Sequence, residues 1–137
     1  MKTTGIWIDK HTAYIFSIDN GKETLEAVKS TLESSNIRSD KGNRRKGQIQ
    51  DSTYQRYETH KLQQYFVEIA HVIEDTDAIV IFGPGETGGQ LRKELKSHFR
   101  FLGNKILGVK KADSMSENQL KAWVRNFFEE SLDLSQL

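Results

Sequence analysis

The run Ala78-Ile79-Val80-Ile81-Phe82, closed by Gly83-Pro84-Gly85, is uninterrupted apolar sequence. It has no polar face and is too short for an ordinary helix, so it predicts a strand buried on both faces. Such a strand lies inside a sheet that helices cover.

The flanking sequence supplies those helices. From about Thr53, the residues Tyr57, Lys61, Leu62, Tyr65, Phe66, Ile69, Val72 and Ile73 recur at helical spacing, polar at the start and apolar toward the end. After the apolar run a second helix is expected, with Leu91, Leu95, His98 and Phe99 on one side. Lys105 to Val109, through Ile106, Leu107 and Val109, predicts a further buried strand. Ser114 with Glu117, and Ser116 with Gln119, both fit capping-box spacing. They open a last helix with Leu120, Trp123, Val124, Phe127 and Phe128 inward.

The first third alternates instead. Ile6 and Ile8, then Tyr14, Phe16 and Ile18, flank the turn-like Asp9-Lys10-His11 and read as a hairpin. Asp19-Asn20-Gly21-Lys22 is a tight-turn signal, and Leu25, Ala27 and Val28 continue into a third strand. The order β-β-β-α-β-α-β-α predicts an α/β fold: a mixed sheet, antiparallel meander then βαβα, with covering helices. No repeat or linker interrupts it, so residues 1–137 are expected to form one domain, with a mobile basic loop over 34–52.

Cysteine is absent, which excludes disulfides, thiolate metal sites and a Cys nucleophile. Asp9 and Lys10 interrupt the first apolar run too early for a signal peptide, and no uncharged stretch is long enough to cross a bilayer. A cytoplasmic protein with no membrane partner is expected.

Twenty basic residues meet 19 acidic ones, so the net charge of +1 decides little; its distribution decides more. From Ser34 to Gln50 the cations Arg38, Lys41, Arg44, Arg45 and Lys46 face only Asp40. Set among small residues, they can reach phosphates as point charges and bidentate forks. With no aromatic side chain in the loop, contact with the backbone of folded RNA is expected rather than base stacking.

Two other places could carry chemistry. Gly83-Pro84-Gly85-Glu86 leads from strand to helix and could form an anion-binding turn, but lacks the Gly-Lys-Ser/Thr ending of a P-loop and the dinucleotide spacing. A structural turn is the simpler reading, with Glu86 capping the helix. Asp9, Asp19, Asp75 and Asp77 could be clustered carboxylates, but short acids at turns are ordinary there. The four histidines have no metal-ligand spacing, so no metal is expected.

Gly5-Ile-Trp-Ile-Asp9, the basic Gly-Gln loop before a long helix, and Ile79-Val-Ile-Phe-Gly-Pro-Gly-Glu86 resemble small bacterial homologues of one translation domain. That domain is the middle domain of the archaeal and eukaryotic class-1 release factors, related to the middle domain of Pelota. The resemblance implies a sheet of ribonuclease-H-like topology, no cofactor, and the ribosome, rRNA or tRNA as partner. In that family a Gly-Gly-Gln at the loop tip positions water against the ester of peptidyl-tRNA. Gly88-Gly89-Gln90 offers the same letters but follows the buried strand, whereas the family motif precedes the first long helix. The match by position is Lys46-Gly47-Gln48, with Lys46 where the family has its first glycine.

Three functions follow as expectations. The first is a non-catalytic ribosome- or RNA-associated factor, in hibernation or rescue, that docks through the loop. The second is a peptidyl-tRNA hydrolase in which Gln48 and Gly47 are the catalytic residues. The third is a protein-interaction module with no nucleic-acid role. A homodimer through an exposed sheet edge, with the hairpin as the candidate edge, is a further partner the pattern allows.

Overall fold

The computed structural model describes residues 1–31 and 51–136. Among them run β1 (Lys2–Ile8), β2 (Thr12–Asp19), β3 (Lys22–Lys29), α1 (Asp51–Val72), β4 (Ala78–Gly83), α2 (Thr87–His98), α3 (Arg100–Gly103), β5 (Ile106–Lys111) and α4 (Glu117–Gln136). The strands form one mixed sheet in the order β3-β2-β1-β4-β5. β1 pairs antiparallel with β2, and β2 with β3; β1 and β5 pair parallel with β4. The expected mixed α/β architecture is therefore present. At the β2–β3 turn Asn20 and Gly21 take positive φ of 53° and 86°, as a two-residue hairpin loop requires.

Alternation sorts the strand residues into two cores. Ile6, Ile8, Ile15, Ile79 and Ile81 face α1 and α2, meeting Tyr65, Phe66, Ile69, Leu91 and Leu95. Trp7, Phe16, Val80 and Phe82 face α4, meeting Leu120, Val124 and Phe128. This is why Ala78–Phe82 has no polar position: β4 is inside the sheet and covered on both faces. Phe82 stacks on Trp123 with centroids 3.9 Å apart and planes 8° from parallel. α4 opens with a capping box at Ser116: the Gln119 amide donates to Ser116 Oγ at 3.2 Å, and Gln119 Oε1 accepts from the Ser116 amide at 2.9 Å.

Several expectations need correction. The β1–β2 hairpin is not an edge, because β1 lies in the middle of the sheet and the edges are β3 and β5. β5 is correspondingly not a buried strand. Ile79 pairs with Ile106 and Val80 with Gly108, so Leu107 is an extra residue in a bulge and is 55% exposed. His98 does not face inward; it is exposed and its Nδ1 lies 3.0 Å from Glu94. The short α3 was not anticipated, since Arg100–Gly103 carries only Leu102 into the core.

Candidate nucleic-acid interface

Strand direction gathers the connections of interest at one end of the sheet. β1, β3, β4 and β5 all point the same way. Their C-terminal ends lead into the 9–11 turn, residues 30–50, the 83–86 turn and the approach to α4. Arg38, Lys41, Arg44, Arg45, Lys46, Gly47 and Gln48 lie outside the described residues. The strand before them and the helix after them are described.

Asp9 Oδ1 accepts hydrogen bonds from the amides of His11 and Thr12, each 2.8 Å, and closes the β1–β2 turn. The Ser30 amide donates to the His11 carbonyl at 2.9 Å, so the exit from β3 is held against that turn. The Tyr65 hydroxyl donates to the Asp9 carbonyl at 3.0 Å. Burial, and then the nearby Asp9 charge, push the Tyr65 phenol well above the ordinary tyrosine range, so it stays a donor.

That contact fixes the level of α1. Leu62 is its first buried residue among those described, and no side chain from Tyr54 to Lys61 is buried. At 1.5 Å per residue, about 10 Å of helix from Tyr54 to Lys61 carries no buried side chain. That part is braced by the Lys10–Glu58 ion pair at 3.1 Å. Lys61 Nζ also lies 5.7 Å above the Tyr57 ring, and that ring lies 6.2 Å from Tyr54. Residues 32–50 thus join a sheet edge to the start of this helix.

At the 83–86 turn, Gly83 has φ 147° and a Cβ there would lie 2.3 Å from the Ile8 carbonyl oxygen. Only glycine lets β4 turn away so close to β1. Gly85 also has positive φ, 62°, and its carbonyl accepts a hydrogen bond from the Lys111 ammonium at the end of β5. Glu86 stands at the N-cap of α2, but its side chain makes no capping hydrogen bond, contrary to expectation. Gly88, Gly89 and Gln90 are the first turn of α2, with Gly88 buried 3.0 Å from Ile81 Cγ2 were a Cβ present. A shallow cleft of about 410 Å³ opens over this turn, bounded by Glu86, Gln90, Arg92, Lys93, Lys110 and Lys111.

The carboxylates do not converge. Asp9 is at this end, while Asp75 and Asp77 lie at the other, around Lys2. Lys2 Nζ is 2.9 Å from Asp75 and holds that carboxyl below its ordinary range.

Sequence reading missed one basic segment. Between Thr87 and Lys111 stand Arg92, Lys93, Lys96, Arg100, Lys105, Lys110 and Lys111, with Glu94 the only acid. The signal was available, but the cations are spaced between apolar helix and strand positions, so they do not form a visible run.

These features define a mixed α/β fold whose strand C-termini carry a basic segment and a basic cleft. No protein-family model matches the chain, and no curated protein sequence matches it. Solved structures do. Pelota from Thermoplasma acidophilum is similar with a TM-score of 0.53 at 18% identity, over 86% of this chain and 30% of that one. Pelota from Archaeoglobus fulgidus gives 0.55 at 12%, over 99% and 38%. The archaeal translation termination factor aRF1 gives 0.55 at 10%, over 98% and 41%. The chain thus spans well under half the length of each, and what it shares with them is the fold. Among the described residues no helix is long and apolar enough to cross a membrane.

Proposed function

We propose that this chain is a translation-related factor that associates with the ribosome through RNA contacts made by its basic segment. The observation that carries this reading is one of position. Five cations against one acid, Arg38 to Lys46, fall between the end of β3 and the start of α1. The shared fold with a translation termination factor supports the reading, as does a charge pattern suited to phosphates rather than bases. Arg44, Arg45 and Lys46 neutralise phosphates in this account, and Gly47-Gln48 stands at the tip. Such a role places the protein in the cytoplasm.

The test is co-sedimentation of tagged protein with ribosomes at low and high salt, beside the variant Arg44→Glu/Arg45→Glu/Lys46→Glu. The reading expects salt-sensitive co-migration that the variant loses. Equal co-migration of variant and wild type would refute it.

A second reading rests on Gly47-Gln48 preceding α1: hydrolysis of peptidyl-tRNA, with Gln48 orienting water. Lys46 in place of a glycine weighs against it, since a non-glycine residue in a left-handed conformation costs about 1–2 kcal/mol.

A further inference from the structure

We propose that the cleft over the 83–86 turn is a second phosphate-binding surface, contacting an RNA backbone at the same time as the basic segment. The proposal rests on the docking reading above and extends it to residues that reading does not use.

Four cations from two separate elements surround the cleft: Arg92 and Lys93 from α2, Lys110 and Lys111 from the end of β5. Glu86 is the only acid among the described residues of its border. Lys111 is engaged, donating to the Gly85 carbonyl, and so holds the floor of the cleft in place. Arg92, Lys93 and Lys110 are exposed and have no ion-pair partner among the described residues. Lys22, Lys29, Arg56, Lys96 and Arg100 are likewise without an ion pair among the described residues, so what sets the cleft apart is that three such cations border one depression. Leaving like charges together without counter-charges costs electrostatic self-repulsion, which a polyanion relieves.

The location gives the cleft its partner. It opens at the end of the sheet from which residues 32–50 depart. Cations gathered at one cleft favour its approach to a phosphate-rich surface. Among the described residues the cleft border contains no aromatic side chain, which suits the sugar-phosphate backbone rather than stacked bases. A second contact at the cleft fixes orientation on the backbone as a single contact does not.

The experiment measures full-chain binding to a labelled RNA hairpin and to purified ribosomes across a salt series. It compares wild type, Arg92→Gln/Lys93→Gln/Lys110→Gln, and the charge-reversed basic segment. The glutamine variant removes contacts without adding repulsion, and a thermal melt checks its fold. The proposal expects affinity for the hairpin to fall at least about tenfold, and the slope of log K against log salt to shrink by roughly 2. A glutamine variant with wild-type affinity and slope, while reversal of the basic segment abolishes binding, would sink the cleft and leave the docking reading intact. Wild-type protein that binds neither RNA nor ribosomes would overturn both.

Discussion

Gly5 and Val124 leave no space between them. A Cβ on Gly5 would lie 2.4 Å from Val124 Cγ2 and 2.9 Å from Cγ1. The central strand β1 and helix α4 therefore approach as closely as backbone and a branched side chain allow. Gly5→Ala is expected to force α4 outward and cost about 1–3 kcal/mol, read as a lower urea midpoint. The double variant Gly5→Ala/Val124→Ala should show strong coupling, because the second change opens the space the first needs. Additive effects would mean that the contact is not what limits the packing.

Tyr65 is fully buried, and its hydroxyl ties α1 to the Asp9 carbonyl. Tyr65→Phe keeps the ring and loses the bond, leaving that carbonyl without this donor. The expected cost is about 1–2 kcal/mol, together with faster amide exchange in the 9–12 turn. Because its phenol is pushed up, Tyr65 should not ionise in an alkaline absorbance titration before the protein unfolds. A Tyr65 signal titrating in the ordinary range would contradict the burial.

Arg125 grips Glu23 with two 2.7 Å hydrogen bonds, joining α4 to edge strand β3. The Arg125 hydrogen bond holds the Glu23 carboxyl below its usual range. A carboxylate whose native pKa is depressed contributes stability above its unfolded pKa and loses it as pH falls through the native value. Thermal melts from neutral to acid pH should therefore show a small decline below the ordinary glutamate range that Glu23→Gln lacks. The pair is exposed, so the difference should be small and should shrink with added salt. An identical acid decline in the two proteins would assign it elsewhere, with Asp75 the first alternative.

Much of the fold could be read from periodicity, and the places where reading stopped have physical reasons. Ala78–Phe82 announced a central strand because burial on both faces removes every polar position. Asn20-Gly21 and the Ser116/Gln119 box announced their turn and helix start because few residue types satisfy those backbones. Ile106 and Val109 misled, since an edge strand with a bulge can be apolar in sequence and half exposed in the sheet. The hairpin edge was misassigned because strand order depends on β4 joining β1 in parallel, a long-range pairing that no local pattern encodes. The basic segment before α1 could be read as a run, whereas Arg92, Lys93, Lys110 and Lys111 meet only because α2 returns the chain to β5.

The hydrolase reading has its own test. If Gln48 orients water, Gln48→Ala should reduce peptide release from stalled ribosomal complexes by at least about 100-fold, as loss of a water-positioning group does, while ribosome co-sedimentation stays unchanged. Wild-type protein that releases no peptide from such complexes would remove this reading and leave the non-catalytic one.

The central claim is that the segment between β3 and α1 meets RNA on the ribosome. A photo-crosslinking residue at position 48, in the chain mixed with purified ribosomes, tests it most directly. The account predicts cross-links to rRNA or tRNA that fade as salt is raised. Cross-links to protein alone, unaffected by salt, would contradict it.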